Sequence, residues 1–277
     1  MKLSSYSLND KREWGVVADD GTLVAASGIP GAPASLDDHI ESPDPAVVAA
    51  LAAAAVKGGG TPQSAVRWLP PVRRPSKVIG VAINNVMGQK AAFRPFADPA
   101  FFFKPSSSLI GHNEPVVVKP SYGITHPEPE LAVIIGRGGS SIPEDKALSH
   151  VFGYTVINDV TSPGLKEKDS IPWIVTSDEM GDPNNLYVNS FDGDTAVFVD
   201  STANLTFSVQ RIIAHASAYM TLYPGDIIHC GTSMKAAEGG PFRGLTDWDL
   251  QHTEGRTMRI DIERIGSLSN PVIIDGD

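Results

Sequence analysis

Apolar residues along the chain fall mostly in short runs divided by turn residues, a rhythm that favours strands over helices. At the start, LSSYSL, REWGVVA and TLVAA read as three short strands within residues 1–27, punctuated by turns such as Asp20-Gly21. Asp44-Pro45 then opens a helix, with Asp as N-cap and Pro in the first helical position, and Gly58-Gly59-Gly60 stops it. This pattern predicts a small α/β domain over residues 1–70, followed by a stiff, exposed linker at PPVRRPSK (70–77). Strand-like runs dominate the remainder: KVIGVAI (77–83), AFFFK (100–104), PVVV (115–118), ELAVIIG (130–136), FGYTVINDV (152–160), GDIIHCG (225–231) and RTMRIDIERIG (256–266). Two helices interrupt them. One starts at the capping-box pattern Ser141-Ile142-Pro143-Glu144. The other covers about 208–221, where Val209, Ile212, Ile213, Ala216 and Met220 share a face. Strands that outnumber helices this far predict an α+β fold whose second domain, 71–277, is a rolled or barrel-like mixed sheet.

The segment HPEPELAVIIG (126–136) carries the first chemical signal. Its apolar stretch Leu131–Ile135 is continuous rather than alternating, as in a strand buried on both faces. Alternation places His126, Glu128 and Glu130 on one face at the mouth of that strand. Two carboxylates held close and partly desolvated are unfavourable unless a cation joins them. The alternative is a frayed strand start with both side chains in water. FGYTVINDV brings a third carboxylate, Asp159, to a strand end, where it either joins the pair or caps a turn. Three carboxylates make an oxygen-only ligand set, suited to Mg²⁺, Mn²⁺ or Ca²⁺ rather than Zn²⁺.

Composition narrows the partners. The 277 residues carry a formal net charge of −10, which argues against nucleic acid or an anionic membrane surface. Cys230 is the single cysteine, so no internal disulfide and no cysteine metal site is expected. MKLSSYSLNDKREWG has no apolar signal-peptide core, and AVVAALAAAAV (46–56) is too short to span a bilayer, so the expectation is a cytoplasmic protein. His229-Cys230 invites a nucleophile reading, but neighbours on a strand face opposite ways, which assigns Cys230 to the core. Gly136, Gly138 and Gly139 match no phosphate-binding spacing and read as a turn. Lys104 reads as a snorkelling edge lysine unless the acidic cluster lies opposite it. His39, His112 and His252 sit in polar, loop-like sequence and are expected in solvent.

Taken in order, Phe103-Lys104-Pro105, Glu128-Pro129-Glu130-Leu131, Gly153-Tyr154-Thr155 with Asn158-Asp159-Val160, Leu222 with Pro224-Gly225-Asp226, Gly231-Thr232, and Gly266 with Asn270-Pro271 resemble the fumarylacetoacetate hydrolase family over roughly residues 77–272. The resemblance implies a mixed β-roll catalytic domain, a small N-terminal domain and a homodimer. It implies Mg²⁺ or Mn²⁺ held by Glu128, Glu130 and Asp159, with Lys104 and Thr232 touching the substrate. The expected substrate is a small 2-oxo or 1,3-dicarbonyl acid, cleaved at a C–C bond by hydrolysis. A decarboxylase or keto–enol isomerase of an oxaloacetate-like acid, or a catalytically silent scaffold, are the alternatives. Two departures stand out. Gly88 and Ala91 fall where hydrolytic members carry a lid His and Glu, and TSPGLKEKDSIP (161–172) shortens a lysine-bearing stretch for which Lys166 or Lys168 could stand in. His126, on the glutamate face, is then the candidate base, with a packed strand-edge histidine as the alternative.

Overall fold

Strand pairing over long sequence distances builds most of the chain. The computed structural model describes residues 1–91, 95–162, 165–171 and 173–276, of which residue 91 and residues 165–171 are described by backbone alone. Among the described residues, the strands form a thirteen-stranded and a five-stranded sheet. Through the middle of the larger sheet run, side by side, Ile174–Thr176, Val151–Ser162, Pro129–Ile135, Ile227–Thr232, Val78–Ala82 and Ala100–Lys104. Ile227–Thr232 and Val78–Ala82 are parallel and the other pairs in this series antiparallel, so the sheet is mixed. The structure thus has the α+β architecture of a mixed, rolled sheet.

The continuous apolar run identified above is buried on both faces. All seven residues of Pro129–Ile135 are buried. Leu131, Val133 and Ile135 pack in one core with Ile79, Val156, Ile228 and the helix Val209–Tyr219. Ala132 and Ile134 pack in a second core with Leu3, Trp14, Val16 and Leu51 of the N-terminal region. Each fully buried aliphatic side chain of this kind contributes about 1.5–3 kcal/mol, so the strand is fixed from two sides. The N-terminal strands also extend the larger sheet directly, because Lys2–Leu8 pairs with Ile174–Thr176. A third core, around Phe198, Trp248, Met258 and Val272, lies under the smaller sheet.

Local signals place the helices. Asp44 accepts from the N–H groups of Ala46 and Val47 at the start of Pro45–Lys57, and Gly58, at φ 62°, ends it. Ser208 caps Val209–Tyr219, which buries Val209, Ile212, Ile213 and Ala216. No helix among the described residues is long and apolar enough to cross a membrane.

Four local expectations are corrected. The capping box at Ser141–Glu144 does not form: Ser141 sits at φ 51°, and the following residues make a 3₁₀ segment, Glu144–His150, with no side-chain cap. RTMRIDIERIG is a strand only over Thr257–Ile262; its end is the turn of a hairpin, reversed at Arg264 (φ 66°), that leads into Gly266–Ile274. The 70–77 stretch is not wholly exposed, since Pro71, Val72 and Pro75 are buried. His39 lies buried beside Trp14 and Phe152, and His112 packs against Trp68 and Trp173; only His252 is solvated as expected. Aromatic neighbours far away in sequence decide these histidines.

Candidate metal centre

Strand register brings the three carboxylates together. Pro129 pairs with Asn158 and Glu130 with Ile157, and the Asp159 N–H donates to the Glu128 carbonyl at 2.9 Å. On the other side Glu130 pairs with Thr232, with a register shift before Ala132 that bends the strands at the site. Gly231 supplies that bend at φ 108°, where an added Cβ would lie 2.6 Å from Asn84 Cβ.

Thr232 Oγ1 sits between the two glutamates, 2.9 Å from Glu128 Oε2 and 3.1 Å from Glu130 Oε1. A hydroxyl has one hydrogen to give, so it serves one of the two carboxylates at a time. Lys104 is not a snorkelling lysine: its side chain is 1% exposed, its ammonium pairs with Asp159 Oδ1 and also donates to the Val160 carbonyl at 3.3 Å. Thr161 Oγ1 lies 3.3 Å from the same Asp159 oxygen. His126 is held by paired backbone bonds to Thr161, and its Nδ1 is 3.5 Å from Glu128 Oε1. All six residues singled out from the sequence therefore meet in one corner.

The sequence reading missed a seventh. His229 is fully buried, with Nδ1 2.8 Å from Glu130 Oε2 and 3.8 Å from Asp159 Oδ2. Glu130, Asp159 and His229 form a buried group whose ligand atoms all lie within 4.8 Å of one another. Cys230, its neighbour, is the core residue expected; burial pushes its thiol well above the usual range, so it is no nucleophile.

The donor set fits a hard divalent cation. Glu130 and Asp159 converge within 4.8 Å beside His229, Thr232 Oγ1 links Glu130 to Glu128, and Lys104 pairs with Asp159; this leaves the corner acidic, with carboxylate oxygens outnumbering nitrogens as Mg²⁺ or Mn²⁺ prefers. Buried carboxylates at this density need such compensation.

A cavity of about 390 Å³ opens onto this corner. Glu128 and Thr232 form its acidic end; Val81, Ile83, Phe102, Met234 and Leu245 form an apolar wall. The short helix Val86–Ala91 stands over it, rooted in two buried asparagines. Asn84 donates to the Cys230 and Phe207 carbonyls and accepts from the Phe207 N–H. Asn85 donates to Asp200 and to the Thr232 carbonyl. Ile83, just before them, holds φ 52°, a conformation costly for a β-branched residue and maintained by these anchors. Gly88 faces the wall, where a Cβ would meet Ile83 Cγ2 at 3.0 Å. Lys166 and Lys168 have no described side chains.

The family profile described as "Fumarylacetoacetate (FAA) hydrolase C-terminal" matches residues 77–273. The chain belongs to the fumarylacetoacetate hydrolase family. It is 30% identical to a mitochondrial oxaloacetate tautomerase of Homo sapiens over 88% of this chain and 81% of that protein. With the 2,4-didehydro-3-deoxy-L-rhamnonate hydrolase of a Sphingomonas species it shares 29% identity over 96% of this chain and 94% of the other. Among solved structures, the maleylpyruvate hydrolase of Sphingobium sp. SYK-6, in complex with manganese(II) and pyruvate, superposes with a TM-score of 0.81 at 28% identity, covering 100% of each chain. Fumarylacetoacetate hydrolase relatives with hydrolase, tautomerase and isomerase activities are thus all similar to this chain.

Proposed function

We propose that this protein is a divalent-metal-dependent enzyme acting on an enolisable 2-oxo or 1,3-dicarbonyl acid of the acylpyruvate type, cleaving a C–C bond by hydrolysis. The observation that carries the proposal is the acidic corner of Glu128, Glu130 and Asp159 at the end of a cavity large enough for a small acid. Those three residues would hold Mg²⁺ or Mn²⁺. When bound, the cation would supply the positive charge that orients two substrate oxygens and stabilises a developing enolate. The manganese and pyruvate bound by the maleylpyruvate hydrolase support this assignment.

The chain's own groups have distinct tasks in this scheme. Lys104, desolvated beside Asp159, keeps a fixed positive charge at the corner and faces the developing oxyanion or the carboxylate of the substrate. Thr232 Oγ1 bridges the two glutamates, and Thr232 lines the cavity together with Glu128. His126, beside Glu128, takes a proton from water in the hydrolytic reading. The apolar wall of Ile83, Met234 and Leu245 covers the substrate tail and excludes bulk water. The protein would work as a cytoplasmic homodimer.

Two observations favour a second reading, keto–enol isomerisation or decarboxylation of an oxaloacetate-like acid. Gly88 carries no side chain to activate water, and an oxaloacetate tautomerase is among the relatives. The two are separated by offering wild type and His126→Ala an acylpyruvate and oxaloacetate in the presence of Mn²⁺. Hydrolysis through His126 predicts acylpyruvate cleavage that falls about 10²- to 10⁴-fold in the variant, the usual contribution of a general base. Turnover of oxaloacetate alone, indifferent to the variant, replaces the hydrolase reading with the second. Turnover of neither leaves a silent scaffold.

A further inference from the structure

Glu130 is gripped from behind. Its Oε2 is 2.8 Å from His229 Nδ1 and accepts from the Gly231 N–H at 2.7 Å, so two donors meet one oxygen. A carboxylate oxygen offers about two lone-pair directions, and both are then in use. Oε1 is the oxygen that lies beside Thr232 Oγ1, and Thr232 also donates to Glu128 and, with it, lines the cavity. We propose that His229 is the positioning residue of the metal centre: it fixes Glu130 so that Oε1, and not Oε2, meets the cation, without itself becoming a ligand.

The surroundings of the imidazole bear this out in three ways. A carboxylate only accepts, so Nδ1 carries the hydrogen, which sets the tautomer. The ring is fully buried and lies edge-on to Phe102, with centroids 5.4 Å apart at 79°. Gly80, which pairs in register with both His229 and Phe102 on the flanking strands, leaves the ring its space: an added Cβ would stand 2.6 Å from His229 Cε1. Ala132, His229, Gly80 and Phe102 thus form one row across four strands. A glycine inside the apolar strand VIGVA, otherwise unfavourable, is accounted for by the two rings beside it, since an added Cβ would collide with the Phe102 ring as well as with His229.

Outer partners of ligating carboxylates typically contribute 10- to 100-fold in metal affinity. The inference rests on the metal-centre reading, and one experiment separates the two. Mn²⁺ is titrated into wild type, His229→Leu and His229→Asn by calorimetry, with circular dichroism as the check on folding. Asn places an amide N–H where Nδ1 stands. Leu should weaken Mn²⁺ binding about 10- to 100-fold, and Asn should restore most of the loss. Pulsed EPR of Mn²⁺ on wild type carrying ¹⁵N-histidine should show no directly bound histidine nitrogen. Wild-type binding left intact in a folded His229→Leu overturns the positioning role alone. So does a folded His229→Asn that binds Mn²⁺ about 10- to 100-fold more weakly than wild type, a reading that stands even where the Leu variant does not fold. A strong ¹⁵N coupling would make His229 a ligand instead. Failure of wild type to bind Mn²⁺ removes the metal centre itself, and this role with it.

Discussion

The two ends of the cavity are built on opposite principles. At the acidic end, polar groups from four strands interlock: Glu130 is fixed by His229, Gly231 and Thr232, and Asp159 by Lys104 and Thr161. At the lid end the surface turned to the cavity is apolar, through Ile83, Met234 and Leu245, and the polar groups of Asn84 and Asn85 are spent on anchoring. Charge is concentrated where an enolate would form and excluded where a substrate tail would lie. Under the proposed function, the groups for enolisation and the group for activating water would be separate: the first would be Glu128, Glu130, Asp159 and Lys104, and the second His126 in place of a lid side chain.

The largest effect that would sharpen this contrast belongs to the acidic end. Glu130→Ala removes one oxygen donor and leaves His229 and Thr232 facing a void. Metal-dependent turnover should fall by at least about 10²–10³-fold, the scale at which losing one preorganised electrostatic contact acts, while circular dichroism still reports a folded protein. Retained turnover would break the contrast, since the acidic end would then be ornament.

At the lid end the expected effect is on stability. Asn84→Ala strips partners from the Cys230 carbonyl and from both backbone groups of Phe207, and leaves Ile83 without the anchor that keeps it at positive φ. A loss of about 1–3 kcal/mol is expected for such buried groups, read from urea unfolding. An unchanged midpoint would show the lid root to be unanchored.

How much of this was legible beforehand follows from the range of each interaction. Glu128, Glu130 and Asp159 could be read because alternation and run length act within a strand, and the same local logic found the Asp44 and Ser208 helix starts. Lys104 was legible only through a family resemblance, since its partner Asp159 is 55 residues away. His229 escaped because its meaning lies across strands: Glu130 on one side and the space above Gly80 on the other. An unexplained glycine in an apolar strand was the only local trace. The failed capping box at Ser141 has the same cause, for Ser217 takes both neighbouring N–H groups: its carbonyl the Ser141 N–H, its Oγ the Ile142 N–H.

The smallest effect concerns a histidine outside the cavity. Burial holds His112 down to about 4, below its ordinary value of 6.5. The unfolded chain therefore binds more protons between those values, so this contribution to stability is present above about pH 6.5 and is lost as the pH falls toward 4. His112→Asn, which keeps an acceptor for the Ser269 N–H, should flatten that part of the stability profile modestly. Parallel wild-type and variant profiles would contradict the assignment.

The central claim is that Glu128, Glu130 and Asp159 form one divalent-metal site, and direct Mn²⁺ titration tests it most closely. The account predicts a single site per chain in the wild type, with Mg²⁺ competing for it, and binding reduced below detection in Asp159→Asn with the fold intact. A wild type that binds no Mn²⁺, or an Asp159→Asn variant that binds it equally well, would contradict it.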